Sequence, residues 1–478
     1  MNEADTEAEG DRFTRTGRGI VRGDLTSGPI LRTLVVFTIP ALAANLLQTV
    51  GGTINAIWIG QLLGTTAVAA TANANTILFL LFGTVFGFGM ATTIAVGRHF
   101  GARDLAAARR SLGAGIGFCT GLATLCAVLG WLFAPQVLHL MATPPDVQAA
   151  ALDYLRITFI SMPFLAASML IGMGLRGAGD ATTPLLSSMV TILIDISLNP
   201  VLILGLGPAP RLGIAGSALA GAIGAVGGNV LTLALVYGRD LPLRLKGREL
   251  RWLWPGRAEL AYMLGKGLPM GAQSMLVMAA GMVFLGLVNR EGILASAAYG
   301  ASLQLWNYIQ MPAFAAGQAV SSMVAQNIGA RQHRRVTAIT WVGLGVTEAM
   351  TAMLTAGLLL FDEPVLRLFL GADSPAVPLA RHIQYICTWT YLLSGVMMVL
   401  FATMRAYGSV MLPLLIMFVT FYPVRLGFYA LAHPVLGGEA VWWAYPVGSA
   451  AAVVLSGLAY RFGPWRTKRR QMMLAARG

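Results

Sequence analysis

Twelve long apolar stretches divide the chain, at approximately residues 33–59, 67–96, 109–133, 150–174, 183–206, 213–237, 262–288, 296–325, 335–361, 379–404, 410–432 and 440–462. Apolar residues run continuously within them instead of alternating at every second position. That pattern predicts helices and argues against strands. Each stretch approaches or exceeds the ~20 residues that a helix needs to cross a bilayer. Stretches 1, 2, 7 and 8 are longer than required, which predicts tilt or bending. The last six stretches repeat the first six at an offset of about 229 residues: RGAGDATTPLL from Arg176 returns as RAYGSVMLPLL from Arg405, and Pro40 pairs with Pro269. Gly101-Ala102-Arg103 returns, shifted by one, as Gly329-Ala330-Arg331. The expected fold class is all-α integral membrane, with 12 transmembrane helices in two pseudo-symmetric six-helix lobes about a central cleft.

The expected organisation is a disordered tail at 1–30, a first lobe at 31–238, a connector at 239–260, a second lobe at 261–463 and a basic tail at 464–478. The connector RDLPLRLKGRELRWLWPGRAE carries Trp252 and Trp254, which suits a segment lying along the membrane surface. The first thirty residues mix acids and arginines and lack an apolar core, so they do not read as a cleaved signal peptide.

Composition sharpens the class. Hydrophobic residues make up 56% of the 478 and charged residues only 11%, with mean hydropathy +0.70. A soluble domain carries about 25% charged residues. The net charge of +13 could suggest nucleic acid, but its distribution does not. Twenty-seven of the 33 Lys and Arg residues fall in segments on one side of the predicted membrane, and four on the other. By the positive-inside rule both termini face the cytoplasm. The expected location is the bacterial cytoplasmic (inner) membrane, with no nucleic-acid partner. Cys119, Cys126 and Cys387 lie inside apolar stretches without metal-ligand spacing and read as packing residues.

Short turns on the basic side have readable mechanics. In LRGAGDATTP, Gly177 and Gly179 suit a left-handed helix end, Thr183 an N-cap and Pro184 the first helical position. In FGARDLAAARR, Gly101 is an expected helix end and Asp104 an expected N-cap. No phosphate-cradling GxxxxGK[ST] loop, HExxH or Ser-His-Asp set is present, so neither an enzyme nor a self-contained ATP-driven pump is expected. No cofactor is implied beyond a coupling ion, H⁺ or Na⁺.

Asp195 is the most informative residue. It lies eleven residues past Pro184, roughly 16 Å into a core about 30 Å thick. A carboxylate at that depth costs around 3 kcal/mol on insertion scales. Desolvation disfavours its charged form, so it suits proton exchange, or Na⁺ ligation when ionised. The plainer reading is a hydrogen-bonded Asp joining helices. Thr191 and Asn199 flank it one turn back and one turn on, a polar stripe on one face. Pro200 can kink this helix and free a carbonyl. Asn55 and Gln48 on the first stretch, Asn73 on the second and Asn229 on the sixth are candidates to join the cavity, although intramembrane amides often only bridge helices. At the repeat offset Asn55, Asp195 and Asn199 fall on Phe284, Val424 and Phe428, so the stripe belongs to the first lobe alone. Pure packing features would repeat more evenly, which places the coupling site in that lobe. The second lobe carries its own intramembrane charges, Glu348 and Arg425, which read as a structural pair or a second proton site. Its Met278, Met282, Trp306, Trp389 and Tyr391 suit an adaptable apolar cavity.

Taken together, IPALAANLLQTVGGTINAIWIGQLLG, VGRHFGARDLAAARR, GLRGAGDATTPLL, LIDISLNPVLILG, AQNIGARQ and PVRLGFYAL resemble the multidrug and toxic compound extrusion (MATE) family over about residues 26–465. The absence of acids in stretches 7 and 10 resembles its DinF-like branch. The resemblance implies a V of two six-helix lobes and a monomer-sufficient antiporter that exchanges H⁺ or Na⁺ for amphipathic, often cationic, organic compounds. It implies an ion-coupling group at Asp195, Asn199 and Asn55, with possible Na⁺ at Asp195 and Asn199. Many relatives carry Asp where this chain has Asn55, and Asn then Asp where it has Asp195 then Asn199. One acid is thus kept and moved by a turn. The alternative is a lipid-linked precursor flippase of the wider superfamily. It is disfavoured because only Arg156 and Arg425 place cations well inside the stretches, away from their ends.

Overall fold

A chain immersed in hydrocarbon must satisfy its backbone polar groups internally, and a helix does so within one segment. The structure, a computed structural model, describes residues 23–140, 145–208, 210–371 and 374–475. Among the described residues it is helical throughout, without strands. The first lobe contains α1 (Ile30–Leu63), α2 (Thr65–Gly101), α3 (Leu105–Leu140), α4 (Pro145–Gly177), α5 (Thr182–Leu204) and α6 (Ile214–Gly238). The second contains α7 (Arg257–Arg290), α8 (Ile293–Gly329), α9 (His333–Leu360), α10 (Ala376–Ala406), α11 (Met411–Leu436) and α12 (Glu439–Phe462). A short helix, Asp362–Leu370, precedes α10, and α13 (Trp465–Ala475) follows α12.

Ten of these helices, or eleven with bent α10 counted as one, are long and apolar enough to cross a membrane among the described residues. Helix α8 is the twelfth. It contains no charged residue, but Gln304, Asn307, Gln310, Gln318, Gln326 and Asn327 make it more polar than the others. Protein covers most of it: α8 packs against α9 and α10 of its own lobe and against α1 and α2 of the other, with Gln304 and Asn307 left exposed. The expected excess length is present, at 34 residues in α1 and 37 in both α2 and α8. Helix α3 is also long, at 36 residues. The stretch expected at 379–404 is broken instead, bending 41° between Cys387 and Thr390.

One turn assignment needs correction. Thr183 is not the cap of α5. The Asp180 carboxylate takes that role, accepting from Thr182 N (2.9 Å), Thr183 N (3.0 Å) and Thr183 Oγ1 (2.5 Å), with Pro184 inside the first turn. A carboxylate accepts two backbone donors and a hydroxyl together, which a threonine oxygen does less well. Helix α2 does end at Gly101, as expected; the left-handed residue of the turn that follows is Arg103, at φ +61°, and its repeat counterpart Arg331 is at φ +58°. Asp104 does cap α3, accepting from Ala107 N at 2.9 Å. Gly179 (φ +85°) and Gly408 (φ +80°) hold the left-handed positions of the other repeated turn.

Gly101 and Gly329 serve close approach. A Cβ on Gly101 would collide with the Gln326 carbonyl of α8, and a Cβ on Gly329 with the Arg98 carbonyl of α2. A Cβ on Gly87 would collide with the backbone of Gly271 on α7. The two lobes therefore meet backbone to backbone along the half of α2 that ends at Gly101. That end also carries the described termini, the connector and the arginine-rich turns, and is called here the basic end. Farther along α2, Gly83 keeps only van der Waals distance from Ser274 and Met278. The close backbone contacts between the lobes thus cluster at the basic end.

The connector lies across the basic end of α3. Its short helix Gly247–Leu253 presses Trp252 and Leu253 onto Gly113 and Gly117. Arg109 clamps it through the Pro242 carbonyl (2.7 Å) and Glu249 (3.2 Å). In the tail, Trp465 is buried against Tyr407 and Tyr460.

The part of the expected N-terminal tail that is described, residues 23–29, forms a strap across the lobe seam. Gln326 of α8 accepts from Leu25 N (2.9 Å) and donates to the carbonyls of Gly23 (3.1 Å) and Gly177 (2.9 Å). Asn327 donates to Leu25 O (3.0 Å), and Arg335 to Ser27 O (2.9 Å) and Gly28 O (2.6 Å). Arg176 of the first lobe donates to Gln318 of the second at 3.1 Å.

Candidate functional site

Helices α1, α5 and α6 pack together in the first lobe because small residues let them approach. Gly51 of α1 faces Ile192 of α5, and Gly221, Gly224 and Gly228 of α6 face Asp195 and Thr191. The i, i+3, i+7 spacing of these three glycines makes one smooth stripe on α6. The polar stripe of α5 is thereby laid against it.

Between these helices Asp195, Asn199 and Asn55 come together. Asn199 is fully buried, and its Nδ2 donates to Asn55 Oδ1 at 2.7 Å and lies 3.4 Å from Asp195 Oδ1. Ser217 of α6, also buried, donates to the same Asn55 oxygen at 2.8 Å. One side-chain oxygen of α1 is thus held by α5 and α6 together. Asn199 Oδ1 is buried without a hydrogen-bond partner. Tyr154 of α4 lies within the field of the Asp195 charge. The set offers an acid, an orphan amide oxygen and two donors. That suits a proton or an alkali cation with oxygen ligands. Among the described residues no cluster of three His, Cys, Asp or Glu side chains could hold a transition metal.

The other candidates lie apart from this group. Thr191 points its hydroxyl at Gly228 and serves helix packing. Asn229 donates to the Phe164 carbonyl of α4 at 2.9 Å, an interhelical bridge. Gln48 is exposed, two turns from Asn55 on the same face of α1. The side chain of Asn73 lies outside the described residues.

In the second lobe Arg425 is enclosed by aromatic rings, its guanidinium 4.4 Å from the Tyr445 centroid, 4.9 Å from Phe421 and 5.1 Å from Phe284. Tyr445 and Tyr299 share a hydrogen bond of 2.5 Å, and Trp306 donates to Gln384 (2.9 Å) and Thr388 (3.0 Å) beside them. Glu348 lies elsewhere, against Gly395. The expected pairing of Glu348 with Arg425 is therefore corrected: no ion pair joins them among the described residues, and π faces stabilise the guanidinium instead. Arg156 lies over Trp131 at 5.4 Å.

The two lobes also diverge at the register of the acid. Thr191–Asp195 of α5 corresponds, 229 residues on, to Thr420–Val424, a π-helical turn containing Pro423. Where the first lobe places an acid on a regular helix, the second inserts a π turn that precedes Arg425. Such turns recur at functional positions within helices.

A two-lobed bundle with a half-buried acid between helices of one lobe is the plan of a secondary transporter. The family model described as MatE matches residues 40–201 and 269–431, one segment per lobe. The chain belongs to this family. It is 33% identical over 444 residues to "Probable multidrug resistance protein YoeA" of Bacillus subtilis (strain 168), covering 92% of this chain and 95% of that one. It is 29% identical over 451 residues to "Probable multidrug resistance protein YpnP" of the same organism, covering 93% and 97%. Among solved structures it resembles "Outward-facing conformation of a multidrug resistance MATE family transporter of the MOP superfamily", at TM-score 0.86 and 18% identity over 95% of this chain and 100% of that one.

Ser217, Tyr154 and the Arg176–Gln318 contact were absent from the sequence reading. A serine in a helix ordinarily bonds its own backbone. The only signal for Ser217 is its position one turn before the glycine stripe of α6.

Proposed function

We propose that this protein is a multidrug exporter of the cytoplasmic membrane, working as a single chain with both termini in the cytoplasm, and that it exchanges H⁺ or Na⁺ for amphipathic, often cationic, organic compounds. The carrying observation is the group formed by Asp195, Asn199, Asn55 and Ser217, in which an acid of α5 is tied to α1 through Asn199. Relatives named as multidrug resistance proteins support the substrate class.

In this reading the basic end is the cytoplasmic side and the V stands open to the outside. Ionised Asp195 accepts from Asn199 Nδ2. Once protonated, it becomes a donor, and the unpartnered Asn199 Oδ1 is an acceptor within the same side-chain pair. The exchange changes which atom of Asn199 faces Asp195 and which faces Asn55, so the grip of α5 on α1 depends on the ion bound. Na⁺ would act on the same two oxygens without a proton. Asn at position 55 leaves Asp195 as the one acid of the group, which implies a single coupled charge per cycle.

The test is efflux of a fluorescent organic cation from proteoliposomes under a pH gradient or a Na⁺ gradient imposed separately. One gradient drives the wild type, and Asp195→Asn loses that dependence. Equal gradient-driven export by both proteins refutes the mechanism. No movement of any test cation under either gradient returns attention to lipid-linked substrates, although both intramembrane arginines already face aromatic rings.

A further inference from the structure

A cavity of about 590 Å³ lies at the basic end between the lobes. Arg98 and His99 of α2 line one side, Glu259 and Tyr262 of α7 another, and Arg331 and His333 the turn from α8 to α9. Its walls are fixed by the backbone contacts of Gly101 with Gln326 and of Gly329 with Arg98. The volume falls in the range of small-molecule sites, about 300–1,000 Å³.

The charge of the lining is unbalanced. Among the described residues Arg98 and Arg331 have no ion-pair partner, whereas Glu259 is neutralised by Arg110 at 2.6 Å. The first turn of α9, at His333, adds the positive pole of a 28-residue helix. The carboxyl ends of α2 and α8 oppose this with about half a charge each, which two full guanidinium charges exceed. Arg98 and Arg331 come from different lobes and from repeat-related segments, so a ligand that engages both bridges the seam. Arginine pairs with phosphate oxygens through two parallel N–H donors.

We infer that this cavity binds a phosphate group, carried by an acidic lipid headgroup or by a soluble polyphosphate compound. The site is separate from the Asp195 group and does not depend on the exporter reading.

The test uses the purified full chain and reads binding by thermal unfolding and calorimetry, independently of transport. One arm adds tripolyphosphate; the other adds mixed micelles containing phosphatidylglycerol, with phosphatidylcholine as the neutral control. Saturable stabilisation by tripolyphosphate identifies a soluble source, and stabilisation by phosphatidylglycerol alone identifies lipid. Arg98→Gln and Arg331→Asn should each weaken binding about tenfold, the loss of one charge-assisted pair. Arg290→Gln, at the opposite end, should leave it unchanged. Asn tolerates the left-handed backbone of position 331, so that variant carries the test if Arg98→Gln does not fold. The inference is overturned if neither probe binds, or if binding is equal in wild type, Arg331→Asn and Arg290→Gln. It is also overturned if the arginine variants lower stability with no dependence on either probe, which would make them helix caps alone.

Discussion

Placing a methyl group on Gly87 should open the basic end. The Cβ of Gly87→Ala would fall on the backbone of Gly271, with Met270 also within contact. Backbone atoms of a packed helix cannot rotate aside as a side chain can, so the lobes must separate locally. Overpacking of this kind costs typically 1–3 kcal/mol. The contact exists only while the lobes are joined at the basic end, so the cost falls on that state alone. A differential of about 1–3 kcal/mol corresponds to a shift of roughly 5- to 150-fold in the balance between closed and open forms. The assay is a distance distribution between spin labels at Arg103→Cys and Arg334→Cys, exposed sites on the two lobes, with the three native cysteines replaced. The wild type should populate the short distance and Gly87→Ala a longer one. Gly52→Ala, where a Cβ would meet nothing within 4 Å, serves as control. Identical distributions for Gly87→Ala and wild type, in protein that remains folded, would refute the view that this glycine contact defines the closed state.

Other consequences are separate. Ser217→Ala should weaken ion dependence less than Asn199→Ala in gradient-driven efflux, because it removes one of two donors to Asn55 and leaves the Asp195 contact in place; an equal loss would contradict this ranking. Arg425→Ala should lower stability by roughly 2–4 kcal/mol, read as a fall of several degrees in melting temperature, since it empties the space between three rings. An unchanged melting temperature would deny it a structural role. Burial alone would raise the Asp24 carboxyl, but the Thr26 side chain and backbone, Ser27 and the charge of Arg103 outweigh it and hold it below the usual 3.8. A lowered carboxylate contributes above its unfolded value and is lost as pH falls through the folded one. The strap should therefore stay docked at neutral pH and loosen only in strong acid, read as lost amide-exchange protection, relative to the intrinsic rate at each pH, over residues 24–28. Loosening between pH 6 and 8 would show another group in control.

The sequence made the lobes and their repeat legible because lipid imposes a length and an apolarity on every crossing. It misjudged helices whose surroundings are protein. Helix α8 reads as an ordinary crossing, yet two of its glutamines make protein contacts that lipid could not, Gln326 holding the strap and Gln318 meeting Arg176. The break after Cys387 carries no Pro or Gly to announce it. The i, i+4 relation of Asp195 and Asn199 follows from helix geometry alone. The reach of Asn199 to Asn55 crosses 144 residues; the loss of all three polar residues at the repeat offset grouped them, but no local pattern shows the contact itself. Gly101 was read correctly as a helix end, but its close approach to the other lobe was not legible, because glycine's two roles, left-handed backbone and close approach, look alike in sequence. Only the position of Gln326 distinguishes them.

The central claim is that Asp195 binds the ion that substrate release requires. The most direct measurement is ion release on adding a cationic substrate to purified protein, followed by a pH indicator in weakly buffered solution and, separately, by a Na⁺ electrode. The account predicts release of about one H⁺ or one Na⁺ per substrate bound by the wild type, and none by Asp195→Asn, one acid carrying one exchangeable charge. Equal release from both proteins would contradict it and place the coupling elsewhere in the fold.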